Sequence, residues 1–236
     1  MLIIIPARMG SQRLPNKPMA EIAGLPMVIQ VANRAREANC AEVVIACSEE
    51  VVAHEAIKHG FKAVLTDPNL PTGTDRVWAA YEQLGKPSAS LVNLQGDMPF
   101  ISPQTIRSVV EQTKEGKFDM CTAASKFEDL SDIEKHSAVK VVLTYQGRAL
   151  YFSRTASFPY GAGDYLHHIG IYGYNADALE KFVKLEQSPL ELRENLEQLR
   201  ALENDMSIGV ALVNDSPKSV DTAEDLASVR DYAASL

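Results

Sequence analysis

The chain has few cysteines, a single tryptophan and less positive than negative charge. Cys40, Cys47 and Cys121 show no CxxC spacing, and an odd, sparse set of this kind reads as reduced thiols in a cytosol-like compartment, most simply as small apolar side chains of the interior. Lys and Arg number 23 against 31 Asp and Glu, a net charge of -8 that argues against a nonspecific nucleic-acid binder. That balance leaves anionic substrates to local Arg and Lys clusters. Long apolar runs are missing too. The opening Met1-Leu2-Ile3-Ile4-Ile5-Pro6 stops after a handful of residues, has no basic segment ahead of it and is followed by Arg8. It is expected to be a buried strand and not a signal peptide, and no other stretch approaches membrane-spanning length. A cytoplasmic protein with no membrane and no nucleic-acid partner is the expectation. Neither a GxxxxGK[ST] phosphate loop nor a GxGxxG fingerprint occurs, which weakens a kinase-like or dehydrogenase reading.

What is present is an ordinary globular balance: 46% hydrophobic and 23% charged residues over 236 positions, enough for a core that needs neither disulfides nor a structural metal. Strand and helix patterns alternate through the first half. Leu2–Pro6, Glu42–Cys47, Phe61–Leu65 and Ala89–Gln95 read as strands. Pro26–Ala38, Glu49–His59 and Asp75–Leu84 read as helices, and Ser102 caps a further helix that has Pro103 at its first position. This predicts a mostly parallel sheet with crossover helices. In the second half Val139–Thr144 and Ala149–Ser153 flank Tyr145-Gln146-Gly147-Arg148 as a hairpin. His168–Tyr174 and Ser207–Val213 read as strands, Ala176–Leu185 and Pro189–Glu203 as helices, and Thr222 caps the last helix. With no repeat, low-complexity tract or linker, a single α/β domain over 1–236 is expected, with the hairpin as an excursion from the sheet.

Three segments carry chemistry. Pro6-Ala7-Arg8-Met9-Gly10-Ser11-Gln12-Arg13-Leu14-Pro15-Asn16-Lys17 leaves the C-terminal end of the first strand, where open α/β sheets bind ligands. Its cations and turning backbone suit polyphosphate. Asn93-Leu94-Gln95-Gly96-Asp97-Met98-Pro99 closes the fourth strand at the same edge; a carboxylate beside a glycine there suits a divalent ion bridging phosphates, or a plain turn cap. In Ser219-Val220-Asp221-Thr222-Ala223-Glu224-Asp225, Thr222 with Asp225 forms a capping box and leaves Asp221 free for a metal, or Asp221 is itself the cap.

At this point the residues resemble a known family. IIPARMGSQRLPNKP, PTGTDR (Pro71 to Arg76), NLQGDMP, AVKVV, ALYFSR (Ala149 to Arg154), HHIGIYGY, SPLE, ENLEQLR and VDTAEDL look like the 3-deoxy-manno-octulosonate (KDO) cytidylyltransferases, in order along essentially the whole chain. The first and QGD are shared with other sugar nucleotidyltransferases, while YFSR, HxGIYGY and EQLR are specific to the KDO branch. The resemblance implies a Rossmann-like nucleotide-diphospho-sugar transferase fold, Mg2+, a homodimer, and the reaction of CTP with KDO, an acidic eight-carbon sugar, to CMP-KDO and pyrophosphate for lipopolysaccharide biosynthesis. It also implies roles. Arg8, Ser11, Arg13 and Lys17 fall at CTP-phosphate positions, with Pro6 and Ala7 at the edge of the nucleotide site. Thr72, Gly73, Thr74 and Arg76 lie on a loop that meets the nucleotide, Arg76 also near the sugar acid. Asp97 and Asp221 match the metal carboxylates. Gln95, Arg154, His168, Tyr172, Glu197 and Gln198 match the sugar set.

The chemistry of that set is apt, since a carboxylated polyol needs a guanidinium and several amide or carboxylate partners. His168 and Tyr172, four apart on a strand, are expected to face the same side. The chain departs from the family pattern at Met98, where QGDEP is common, at Phe158-Pro159-Tyr160, at Leu192 and Arg193, and at Ser219. Those near the sugar pocket leave room for a related acidic sugar, such as an amino-substituted KDO or a sialic-acid-like one. A nonenzymatic nucleotide sensor would be expected to have lost a metal carboxylate or phosphate cation, yet all are present.

Overall fold

A computed structural model describes residues 1–10, 13–127, 129–156 and 165–235. Along the chain run β1 (Leu2–Ala7), β2 (Glu21–Ile22), β3 (Leu25–Pro26), α1 (Met27–Ala38), β4 (Glu42–Cys47), α2 (Glu50–Lys58), β5 (Lys62–Leu65), α3 (Gly73–Gln83), β6 (Ser90–Leu94), α4 (Pro103–Glu115), β7 (Met120–Lys126), β8 (Lys140–Leu143), β9 (Ala149–Ser153), β10 (Leu166–Asn175), α5 (Ala176–Val183), α6 (Pro189–Glu194), α7 (Gln198–Glu203), β11 (Ile208–Val213) and α8 (Ala223–Ala234). They form two compact units, Met1–Ile106 with Pro217–Leu236, and Arg107–Ser216.

In the first unit β6, β1, β4 and β5 lie side by side, all parallel, with α1, α2 and α3 as crossovers. Every residue of β1 is buried, as its unbroken apolar run requires for a strand covered on both faces. Burying each of its isoleucines contributes about 1.5–3 kcal/mol. Ser102 Oγ accepts from the Gln104 amide at 3.1 Å, the cap expected before Pro103. A small hairpin, β2–β3, escapes the sequence patterns because its strands are two residues each; Ala23 and Gly24 between them both have positive φ, as a primed turn demands. Ile22 and Met27 pack with Val220, Leu226 and Val229, so the hairpin and the start of α1 seat the α8 end of the chain.

In the second unit β11 pairs parallel to β7, and β7 pairs antiparallel to β10. β8 pairs antiparallel with β10 and with β9, and β8–β9 is the expected hairpin. The sequence patterns miss β7 altogether. Its Met-Cys-Thr-Ala-Ala-Ser-Lys is rich in small residues of low strand preference and shows no alternation, yet all but Lys126 are buried. Pro189–Glu203 is two helices and not one: Asn195, at φ 53, ends α6 in the left-handed conformation, and α7 begins at Gln198. β10 is broken by a register shift in which Gly170, Ile171 and Tyr172 stand opposite the single residue Thr122.

Where β10 resumes, at Gly173, a Cβ would lie 1.8 Å from Thr113 Oγ1 on α4. The Thr113 hydroxyl is fixed there by a 2.6 Å bond to the Val109 carbonyl, so helix and strand approach only over a glycine. Gly173→Ala is expected to cost about 1–3 kcal/mol in chemical denaturation. Most of it should return in the double variant with Thr113→Ala; a double variant as unstable as the single would show that the clash is not the cause.

Candidate active site

The first unit holds a cavity of about 560 Å3 at the C-terminal ends of β1 and β6, lined by Pro6, Ala7, Arg8, Gly10, Arg13, Lys17, Pro18, Gly73, Arg76, Gln95, Gly96, Asp97 and Asp221. Its size suits a small-molecule ligand. The chain segments meet closely here: a Cβ on Gly96 would stand 3.1 Å from the Pro6 carbonyl, which is why a glycine precedes Asp97. The basic loop is held from below by Glu49, whose carboxylate accepts from the Met9 amide at 3.2 and 3.3 Å. Asn16, at φ 59, turns the chain so that Lys17 points back into the cavity lining. Ser11 lies outside the described residues.

Asp97 and Asp221 are far apart in sequence but share one cation. Lys17 Nζ is 3.1 Å from Asp97 Oδ2 and 2.9 Å from Asp221 Oδ1, and Arg13 reaches Asp221 Oδ2 at 3.3 Å. Burial opposes the charge on Lys17, but the attraction of Asp97 and then Asp221 outweighs it and holds the ammonium above its ordinary pKa. The backbone ties the same two loops, the Val220 amide donating to the Asp97 carbonyl at 2.9 Å. Thr222 is the N-cap of α8 in a capping box with Asp225, which leaves the Asp221 carboxylate for the cations. Two carboxylates bracketing a positive charge also fit a divalent ion. Among the described residues no group of three or more His, Cys, Asp and Glu gathers at one point.

Arg76 is almost wholly buried. Its Nη1 donates to Thr66 Oγ1 at 2.5 Å and to the Asp67 carbonyl at 3.2 Å, while Nη2 has no partner among the described residues. Burial pulls the Arg76 pKa down, with Glu49 opposing and Arg8 adding to the fall. A guanidinium edge left open at the wall of a cavity is suited to an anion. Gln95 is held by its Nε2 bond to Asn93 Oδ1 at 2.9 Å, and Asn93 donates in turn to Thr74 Oγ1 at 3.3 Å. Thr72 caps α3 through a capping box with Asp75. Gly73, Thr74 and Arg76 therefore stand in the first turns of α3 and not on the expected loop, with Thr72 at its N-cap.

The remaining predicted residues lie in the second unit. His168 is buried, with Nε2 3.0 Å from Thr122 Oγ1 and its ring edge-on to Phe152. Burial, helped by His167, pushes its pKa down to about 3. The His168 and Tyr172 rings are 5.6 Å apart. A regular strand would separate residues four apart by roughly 13 Å, so the β10 bulge, and not strand alternation, makes them neighbours. Tyr172 donates to Gln198 Oε1 at 3.2 Å; Gln198 Nε2 is buried without a partner among the described residues. Glu197 sits 3.8 Å from Arg200, which makes a buried two-bonded pair with Glu191 at 2.8 and 2.6 Å. Burial raises the Glu191 pKa, but the Arg200 bonds outweigh it and the net shift is downward. Arg154 spends three N–H groups on the carbonyls of Glu194, His136 and Asn195, at 2.8, 2.9 and 3.0 Å, and its other two have no partner among the described residues. Lys140, buried, donates to the carbonyls of Lys135 and Arg154.

Glu49, Asn93, Thr122, Lys140 and the Glu191–Arg200 pair are positioning residues that the sequence patterns did not single out. Asn93, Lys140, Glu191 and Arg200 stand inside motifs that carry the resemblance, with no role assigned to them there; Glu49 and Thr122 lie outside those motifs and act through tertiary partners that no local spacing reveals.

Residues 2–208 match the cytidylyltransferase family model. The 3-deoxy-manno-octulosonate cytidylyltransferase of Paramagnetospirillum magneticum is 46% identical over 236 residues, 97% of this chain and 96% of that protein. That of Bradyrhizobium sp. is 46% identical over 97% of this chain and 95% of its own. A solved CMP:2-keto-3-deoxy-manno-octonic acid synthetase in complex with CTP superposes with a TM-score of 0.92 at 34% identity, covering 99% of this chain and 98% of that one. At 14% identity and a TM-score of 0.66, 4-diphosphocytidyl-2C-methyl-D-erythritolsynthase from Anaerococcus prevotii shares the fold alone. The fold is thus the expected Rossmann-like nucleotidyltransferase class, and with near-full coverage on both sides the chain belongs to the 3-deoxy-manno-octulosonate cytidylyltransferase family.

Proposed function

We infer that the chain transfers the cytidylyl group of CTP to the anomeric hydroxyl of 3-deoxy-manno-octulosonate, giving CMP-KDO and pyrophosphate for lipopolysaccharide biosynthesis. The observation that carries this is the meeting of Asp97, Asp221, Lys17 and Arg13 at one cavity in a chain of this family. The attacking oxygen bonds to the α-phosphorus, the bond to the bridging oxygen of the β-phosphate breaks, and pyrophosphate leaves with that electron pair. Such transfer rests on positioning and charge stabilisation more than on side-chain covalency. A Mg2+ ion held by Asp97 and Asp221 would neutralise α-phosphate charge and ease loss of the hydroxyl proton. Arg8, Arg13 and Arg76 take the triphosphate, and Lys17, once freed from the carboxylates, joins Arg13 on the departing pyrophosphate. Gln95, Arg154, His168, Tyr172, Glu197 and Gln198 are assigned to the sugar, Arg154 using its two uncommitted N–H groups on the carboxylate. No helix among the described residues is long and apolar enough to cross a membrane. Action as a single cytoplasmic nucleotidyltransferase domain, assembled as a homodimer, completes the proposal.

Pyrophosphate release from CTP with Mg2+ and a panel of acidic sugars tests the reaction; KDO is expected to give the highest kcat/KM, and preference for an amino-substituted KDO or a sialic acid would replace it. Asp97→Asn should cut turnover by about two to three orders of magnitude with the melting curve unchanged. Activity near wild type would remove Asp97 from the metal site.

Lys17 occupies the place a metal would take. Lys17→Met is therefore expected to bind Mn2+ without nucleotide about tenfold more tightly than wild type, read by electron paramagnetic resonance, because one internal cation no longer competes. Equal affinities would mean that the ammonium and the metal do not share a locus.

His168, with its pKa at about 3, is neutral across the working range and too weakly basic to serve as general base. The single-turnover rate at saturating sugar should show no limb near the ordinary histidine value, about 6.5, that belongs to His168. A limb there that disappears in His168→Asn together with a large loss of rate would make His168 the base.

A further inference from the structure

We propose that Thr122 is a positioning residue that fixes His168 as the Nε2–H tautomer, so that Nδ1 presents a hydrogen-bond acceptor to a sugar hydroxyl. This rests on the sugar assignment of His168. Thr122 is fully buried on β7, opposite the three-residue bulge of β10. Its Oγ1 faces three groups at once: the Ile171 carbonyl at 2.8 Å, the Ile169 carbonyl at 3.1 Å and His168 Nε2 at 3.0 Å.

A hydroxyl has one hydrogen to give and lone pairs to receive. Both carbonyls are acceptors only, so the hydrogen must go to one of them, and Ile171 is the nearer. The imidazole nitrogen then has to donate. If Nε2 were the bare nitrogen, the hydroxyl hydrogen would turn to it, and both carbonyl oxygens would face oxygen lone pairs at hydrogen-bond distance in a dry interior. With Nε2 bare, Thr122 makes one hydrogen bond, to the ring; with Nε2 protonated it makes two, accepting from the ring and donating to a carbonyl, and one buried hydrogen bond of roughly 1–3 kcal/mol separates the tautomers.

The same hydroxyl explains why the bulge is stable. Three residues opposing one leave ladder groups without their usual strand partners. Thr122 reaches the carbonyls of Ile169, the last residue in register before the bulge, and of Ile171 within it. One side chain thus closes the bulge, brings Tyr172 beside His168, and chooses which ring nitrogen is bare.

Nδ1 of His168 has no partner among the described residues. A neutral ring showing a bare nitrogen repels a carboxylate oxygen and accepts from O–H or N–H. His168 therefore reads a hydroxyl of the sugar and cannot anchor its carboxylate, which falls to arginine. The nearby phenol of Tyr172 donates to Gln198 Oε1.

Long-range 1H–15N correlation spectra of 15N-histidine-labelled enzyme test the tautomer, with His168 assigned by its loss in His168→Asn. Wild type and Thr122→Ser are expected to show a protonated Nε2 and a bare Nδ1, unchanged between about pH 5 and 8. A protonated Nδ1 in wild type overturns the proposal outright. Thr122→Val, close in shape but without the hydroxyl, should mix the tautomers and raise the sugar KM about tenfold with the CTP KM unchanged, and Thr122→Ser should restore it to within about twofold. A deoxy-sugar lacking the recognised hydroxyl should bind wild type and Thr122→Val equally. If the tautomer holds but the sugar KM does not move, or the CTP KM moves as much, His168 does not read the sugar and the proposed role fails. Wild-type CMP-sugar formation, measured separately, leaves the reaction itself standing or falling on its own result. Should Thr122→Val fail to fold, the wild-type spectrum and the Thr122→Ser sugar KM remain decisive.

Discussion

The charge balance of the first unit's cavity depends on one ammonium group. Two carboxylates within hydrogen-bond reach of the same point repel each other unless a cation stands between them. Lys17 supplies it, at 2.9 and 3.1 Å. Exposed ion pairs contribute little to stability, but Lys17 is mostly shielded from water and is held by two partners. The Val220–Asp97 backbone bond and the packing of Val220 with Ile22 and Met27 fix the loop spacing. The lysine thus has less to do with building the pocket than with keeping its charge balanced. Under the proposed function it is a stand-in cation, to be exchanged when a stronger one arrives with a polyanionic nucleotide. Arg13, largely exposed and bound to Asp221 alone, is the easier of the two to redirect.

In the second unit the equivalent constraint is the Thr122 hydroxyl. β7 and β10 cannot form a regular ladder here, because β10 has two residues too many for its partner. Gly173 lets the strand return to register against α4, and the Thr122 hydroxyl lies within hydrogen-bond reach of the Ile169 and Ile171 carbonyls and gives its one hydrogen to the nearer. The irregularity has a chemical use: it sets two aromatic side chains ring to ring that a straight strand would keep apart.

The physical reason that parts of this were legible in sequence is locality. The apolar run Leu2–Pro6, which the structure extends by one residue to Ala7, the Thr222 and Asp225 capping box, and the Ser102-Pro103 helix start are all decided within a few residues. The acidic and basic loops were visible because they follow strand ends, which topology gathers at one edge. What was not legible is decided across distance. β7 is a strand because its neighbours bury it, not because Cys, Thr, Ala and Ser favour one. Asn195 splits a pattern that is helical on both sides of it, so periodicity runs straight through the break. His168 and Tyr172 were expected on one face by alternation. They do meet, but through a bulge that depends on Thr122, some fifty positions earlier and on a strand the patterns did not contain.

Under the proposed function the two units would treat ligand chemistry in different ways, and the difference follows from what each would recognise. Polyphosphate is defined by charge, and the first unit answers with Arg8, Arg13, Lys17 and Arg76 around two carboxylates. Charge attracts any polyanion, so it gives affinity without much choice. A polyol is defined by the directions of its hydroxyls, and the second unit offers a neutral imidazole, a phenol and a primary amide, all buried or half-buried. Neutral groups in a dry setting attract weakly at range but penalise a mismatch heavily, because an unmatched donor or acceptor loses water and gains nothing. For that discrimination to work, each group must have a fixed polarity. Tyr172 is fixed by Gln198, Gln198 by Tyr172, and His168 by Thr122. A histidine free to change tautomer would accept either a donor or an acceptor and so would discriminate neither. Burial removes its third, cationic form, and a single hydroxyl removes one of the remaining two.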